Sequence, residues 1–318
     1  MSIFISIASY CDVLLSQTIS SALRNADHPD DITFGIVDQN FERTIIDEPL
    51  MHPTHMNYVF IHYKETLGLG WARTLASSFY DEEDWYLQID SHMIFDKSWD
   101  TILIQQATHA QKFNSKCILS SFPPKFEISG TGLIKYPTKG KILAHVLTRG
   151  QTLDGEHSLL RYEGKHFNSQ RLILGAHVAG GCIFARGDLF LEMPYDPFMY
   201  FSEEEQAIAI RSYTHGWDIF HITDNPIYHL YNTEDGKKGA ENGRPMHWNK
   251  DHSDKRNFPW QVLCKKSKIR LDALVCGKED LKVYGLGKQR TMQDYAEFSG
   301  VDYVHRKING KAYIGHWL

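Results

Sequence analysis

Trp85-Tyr86-Leu87-Gln88-Ile89-Asp90-Ser91-His92 reads as a short apolar strand that stops abruptly on three polar residues. A run this short and this apolar suits a strand buried on both faces, as in a parallel sheet. Upstream, Gly68-Leu69-Gly70 introduces a helix over residues 71–80. Downstream, residues 99–113 read as a helix and 117–121 as the next strand. The same alternation runs back to the N-terminus. Residues 3–9 form a continuous apolar strand, and residues 32–37 and 58–62 form two more. Between the first two, Leu14, Leu15, Ile19, Ala22 and Leu23 recur at helical spacing within 14–25. Alternating strands and helices predict an α/β fold with a largely parallel central sheet. Ligands of such sheets sit beyond the carboxyl ends of the strands. Three of those ends are polar here: Ser9-Tyr10, Asp38-Gln39 and Asp90-Ser91-His92.

The second half is less regular. Residues 122–171 read as loops and irregular strands, followed by the small apolar stretch 177–185 around Gly180-Gly181. An acidic-headed helix is predicted over 203–215, with strands at 217–222 and 227–231. Residues 233–254 are polar and Gly-rich, which predicts a mobile loop, and 264–318 hold short helix and strand candidates.

Composition narrows the class. The chain has 318 residues, 42% hydrophobic and 23% charged, enough for a soluble protein with a core. Its net charge of −5 argues against a nucleic-acid binder. The charge is uneven, however. Residues 255–318 carry 13 basic and 6 acidic side chains, a balance of +7, and the remainder has a balance of −12. That asymmetry predicts one main domain over 1–263 and a small basic module over 264–318, the alternative being a plain solvated basic surface. The module is a candidate for partner recognition, membrane-surface contact or a homodimer contact. No apolar run reaches the roughly 18 residues of a membrane helix. The five cysteines are scattered and odd in number, which suits a reducing, cytoplasmic compartment.

Several catalytic motifs are missing: no Gly-x-Gly-x-x-Gly, no P-loop, no His-Glu-x-x-His and no Gly-x-Ser-x-Gly. What remains is Asp90-Ser91-His92. Residues i and i+2 in an extended segment point the same way, so this carboxylate and imidazole can grip one divalent cation. An oxygen and nitrogen donor set suits Mn²⁺ or similar ions. The alternative is an exposed turn that caps a helix. His229, at the end of an apolar segment, is the candidate third ligand, with His177 and His247 as competitors. Glu203-Glu204-Glu205 open a helix, where acids complement the helix dipole, or else one of them faces the site. The aromatic segment 194–201 leads into that helix. Gly180-Gly181 allow either close approach of a ligand to the backbone or tight sheet packing. Arg73 can pair with a phosphate or form an ordinary salt bridge.

Ile5-Ser6-Ile7-Ala8-Ser9-Tyr10, Gly35-Ile36-Val37-Asp38-Gln39, Gly70-Trp71-Ala72-Arg73 and Leu87-Gln88-Ile89-Asp90-Ser91-His92 together resemble the polypeptide α-N-acetylglucosaminyltransferase family. Known eukaryotic members include cytosolic enzymes that modify hydroxyproline. The likeness spans about residues 3–235. It implies a GT-A fold, a UDP-GlcNAc donor, a divalent metal such as Mn²⁺ or Mg²⁺, and retention of configuration. By position it implies that Asp90 and His92 are the Asp-x-His metal motif and His229 the later metal histidine. It places Ser9, Tyr10 and Asp38 at the uridine and Arg73 near the diphosphate. Ser91, Gly180 and Gly181 are further candidates for contact with the donor. Glu204, with Glu203 beside it, falls where related transferases carry an acidic segment, although the glycines of that segment are Ser202 and Glu203 here. The acceptor implied is a protein or glycan hydroxyl. Two other classes use the same residues differently. A non-haem Fe(II) oxygenase also takes two His and one Asp, although usually as His-x-Asp. A non-catalytic glycan-binding protein on this scaffold would bind sugar without releasing UDP.

Overall fold

The computed structural model describes residues 1–46, 55–130, 132–169, 171–231, 244–277 and 279–314, with the backbone of 316–317. Of the loop expected over 233–254, residues 233–243 lie outside the described residues, and Lys250–Ser253 forms the short helix α6.

The α/β alternation is present. Strand β1 (Ile3–Tyr10) leads to α1 (Leu15–Asn25) and β2 (Ile32–Asn40). Strand β3 (Met56–His62), α2 (Leu69–Ser77), β4 (Trp85–Ile89), β5 (Met93–Phe95), α3 (Trp99–Ala110) and β6 (Cys117–Ser120) follow. The irregular middle resolves into two antiparallel hairpins, β7–β8 (Phe126–Ser129, Gly132–Lys135) and β9–β10 (Lys141–Leu147, Tyr162–Asn168). Then come β11 (Ile173–Gly175), β12 (Cys182–Arg186), α4 (Leu189–Glu192), α5 (Glu203–Thr214), β13 (Asp218–His221) and β14 (Ile227–His229). After α6 the chain forms α7 (Trp260–Cys276), α8 (Met292–Ser299), the pair β15–β16 (Val301–Asp302, Lys307–Ile308) and β17 (His316–Trp317).

Nine strands make one mixed sheet in the order β17-β11-β13-β6-β12-β4-β1-β2-β3. The run β4-β1-β2-β3 is parallel, and β12 is antiparallel to both neighbours. Side chains alternate across the pleat. Ile3, Ile5 and Ile7 therefore pack with α1 and α3, and Phe4 packs on the opposite side with Tyr86, Ile183 and Ile208 of α5. Burial on both faces explains why these strands read as unbroken apolar runs.

The expected boundary at 263/264 falls inside α7. Leu271, Leu274 and Val275 of that helix share one core with Met199, Ile210, Tyr295 and Tyr303. Helix α8 starts on a Thr291–Asp294 capping box and stops at Gly300, whose φ of 78° favours glycine. Strand β17 joins the main sheet beside β11. Among the described residues no helix is long and apolar enough to cross a membrane.

Candidate functional site

The carboxyl ends of β1, β4 and β14 converge on a cleft of about 310 Å³. Asp90 leaves β4 and His92 enters β5. Strand β14 pairs antiparallel with β5, which sets His229 opposite Met93. This pairing brings His229 back to a loop 137 residues earlier. Ligand atoms of Asp90, His92 and His229 all lie within 4.8 Å of one another. The two Nε2 atoms are 2.9 Å apart, and His229 Nε2 lies 3.3 Å from Asp90 Oδ2. Burial and the neighbouring His92 push the His229 imidazole down to about 4, against the pull of Asp90, so it is neutral near pH 7.

Arg73, on α2, is buried under this trio. Its Nη2 lies 2.9 Å from Asp90 Oδ1, and its Nη1 lies 3.1 Å from Glu204 Oε1. Nη1 also donates to the Gly180 carbonyl at 2.5 Å. The Tyr195 hydroxyl donates to Glu204 Oε2. The neighbouring Glu205 accepts the Gly180 N–H at 2.6 Å. One guanidinium thus faces a wall of carboxylates. Burial works against ionisation of Asp90, but the His229 contact and Arg73 hold its carboxyl below the ordinary range. Burial pushes Glu204 up to about 7 despite Arg73 and the Tyr195 hydroxyl. It pushes Glu205 up to about 7 as well, with the Gly180 N–H pulling the other way and Glu204 adding to the rise. This split is physically reasonable, because a single buried cation cannot compensate all three charges.

The cleft brings together Tyr10, Arg73, Asp90, Ser91, His92, Gly180, Gly181, Glu204 and His229 of the residues singled out from sequence. Three others stand outside its lining. The Ser9 side chain is buried in the sheet. Asp38 accepts the Tyr58 hydroxyl at 2.5 Å and the Thr44 N–H at 3.0 Å. Glu203 turns back toward the Phe201 N–H and the Cys264 thiol. Arg73 is expected beside a diphosphate; it lines the cleft but is 1% exposed, and both its terminal nitrogens are held by protein groups. Of the competing histidines, His247 lines the cleft beside Tyr10 and Tyr200, and His177 is buried elsewhere against Tyr162.

Sequence reasoning missed Asp12 and Arg244 as cleft residues, and it offered Glu205 only as one of three consecutive glutamates. Asp12 is buried, two residues past the end of β1. Burial opposes its ionisation, but donors from His92, Leu14 and Ser91 hold its carboxyl below the ordinary range. The polar end of β1 was the available signal. Nothing local marks Arg244. Tyr195, from the aromatic segment 194–201, stands behind the lining on Glu204 and Arg73.

Comparison with solved structures finds this architecture in a known protein. GalNAc-T7, crystallised with UDP, GalNAc and Mn²⁺, superposes with a TM-score of 0.55 at 13% identity, over 93% of this chain and 56% of that one. Residues 1–349 of *S. aureus* TarS, in complex with UDP-GlcNAc, match with a TM-score of 0.40 at 15% identity, over 74% of this chain and 60% of that one. No curated protein matches the sequence. The chain thus spans little more than half the length of GalNAc-T7, and its fold is the GT-A glycosyltransferase fold. The profile of the glycosyltransferase (GlcNAc) family matches residues 2–61 and 46–305, and the chain belongs to that family.

Proposed function

We propose that this protein transfers a sugar, GlcNAc in the first instance, from a UDP-sugar to a hydroxyl of a protein or glycan, using a divalent metal and retaining the anomeric configuration. The observation that carries this reading is the convergence of Asp90, His92 and His229 in one cleft. Their chemistry fits Mn²⁺ or Mg²⁺: one carboxylate oxygen and two imidazole nitrogens, with His229 held neutral as a ligand must be. Bound there, the ion supplies positive charge against the departing diphosphate.

The chain's own residues do the rest. Gly180 and Gly181 line the cleft on the expected donor side, each packed too closely on a carboxylate, Glu204 and Asp90, to carry a side chain. Tyr10 lines the cleft at the end of β1, the expected nucleobase side. Glu204 is pinned by Arg73 and Tyr195, and Glu205 is tied to the Gly180 N–H. The family resemblance favours a same-face route, in which the acceptor oxygen bonds to the anomeric carbon as the bond to UDP breaks and the hydroxyl proton passes to the departing diphosphate. The five free cysteines fit a reducing, cytoplasmic setting. The family membership favours this reading over an Fe(II) oxygenase built on the same trio.

The test is UDP release across nucleotide sugars with and without Mn²⁺. Asp90→Ala is expected to lower metal-dependent turnover by roughly 100-fold or more. The variant should stay folded, because Arg73 keeps Glu204 and the Gly180 carbonyl. Full activity in Asp90→Ala would overturn the metal assignment.

A further inference from the structure

Asp12 meets the His92 ring on the side opposite His229. It is 3% exposed and sits just beyond Cys11, whose φ of 46° turns the chain at the end of β1. Its Oδ1 accepts the Leu14 N–H at 2.9 Å. Its Oδ2 accepts the Ser91 hydroxyl at 2.7 Å and faces His92 Nδ1 at 2.6 Å. Helix α1 braces the same loop on the other side: Thr18 Oγ1 donates to the Ser91 carbonyl at 2.7 Å and accepts the Met93 N–H at 2.9 Å.

We propose that Asp12 is a positioning residue that locks His92 in the tautomer with its proton on Nδ1, leaving the Nε2 lone pair turned toward His229 and Asp90. The inference rests on the metal reading given above. A neutral imidazole has one donor nitrogen and one acceptor nitrogen. A carboxylate that already takes N–H and O–H donors can only accept, so the shared proton belongs to Nδ1. Nε2 is then the acceptor, and in the metal-free cleft the facing His229 Nε2, 2.9 Å away, is the donor. Carboxylates in this relation to a ligand histidine fix the ring and its tautomer.

Asp12→Asn tests this without emptying the space. If the amide oxygen stays on the Leu14 N–H, the NH₂ faces His92 Nδ1 and drives the proton to Nε2, where it blocks a metal. The expected result is an Nε2–H signature for His92 in the ¹⁵N side-chain spectrum of the metal-free variant. Mn²⁺ affinity by calorimetry is expected to fall about 10- to 100-fold. A purely structural role would lower the metal-free melting temperature and leave the tautomer alone. The proposal is overturned if wild-type His92 carries its proton on Nε2, or if Asp12→Asn binds Mn²⁺ as tightly as wild type. Should the variant fail to fold, the wild-type tautomer decides alone. Failure of the wild-type protein to bind Mn²⁺ would sink the metal reading, and the tautomer measurement would still decide whether Asp12 locks His92.

Discussion

Gly181 stands against the Asp90 carboxylate so closely that a Cβ there would lie 2.4 Å from Oδ2. No side chain fits unless that carboxylate turns, and Arg73 already holds its other oxygen. Gly180 is similarly confined: its Cβ would fall 2.8 Å from Glu204 Oε1 and 3.0 Å from Arg73 Nη1. Gly181→Ala should therefore displace one donor of the Asp90–His92–His229 trio. Mn²⁺ affinity is expected to drop by roughly tenfold, a loss of the size seen when a ligand is disoriented. Titration calorimetry checks this, and an unchanged affinity would show that the carboxylate does not need its place. The two readings of Gly180-Gly181 from sequence were close ligand approach and tight packing, and these distances, all to protein atoms, are those of tight packing.

At the scale of elements, the acidic head of α5 does more than complement a helix dipole. Glu204 is buried on Arg73, and Glu205 reaches the Gly180 N–H. An unfolded Glu ionises near 4.5, and the folded Glu205 carboxyl is pushed up to about 7. Between those values the folded state binds more protons than the unfolded state, so stability falls as pH rises through this window and then levels off. Glu205→Gln keeps an oxygen for the Gly180 N–H and removes the titration. Its urea-unfolding free energy should change less between about pH 4.5 and 7.5 than that of wild type, by on the order of 2 kcal/mol. Equal slopes for the two proteins would mean that Glu205 ionises normally in the fold.

Across the whole molecule, the basic C-terminal segment is packed into the acidic remainder. Arg270 pairs with Asp196 and Arg290 with Asp218, each at 2.7 Å. Part of the charge asymmetry in the sequence is therefore complementarity between segments. Truncation after residue 263 would cut α7 and remove Leu271, Leu274, Val275, Tyr295 and Tyr303 from a shared core. At about 2 kcal/mol for each large buried side chain, the loss is comparable with the whole stability of a domain. The truncated chain is expected to be unfolded or insoluble, as judged by circular dichroism and gel filtration. A soluble, cooperatively melting fragment would show that residues 1–263 stand alone.

The sequence by itself determined the alternation of buried strands and helices, because burial on both faces leaves unbroken apolar runs such as residues 3–9 and 85–89. It also put Asp90 and His92 on one side of one loop, since two residues apart is a local relation. The third histidine was legible only as a candidate among several. His229 reaches the site because β14 pairs with β5, an event between segments far apart in the chain. Asp12 was decided only by the tertiary structure for the same reason: its partner His92 lies 80 residues away. Arg73 was legible as a candidate, but its carboxylate partners, Asp90 and Glu204, were set by the fold. Likewise, three consecutive glutamates look alike in sequence. Packing of α5 turns Glu204 and Glu205 toward the cleft and Glu203 away from it, because successive helical residues point in different directions and only the neighbouring elements decide which face is inward.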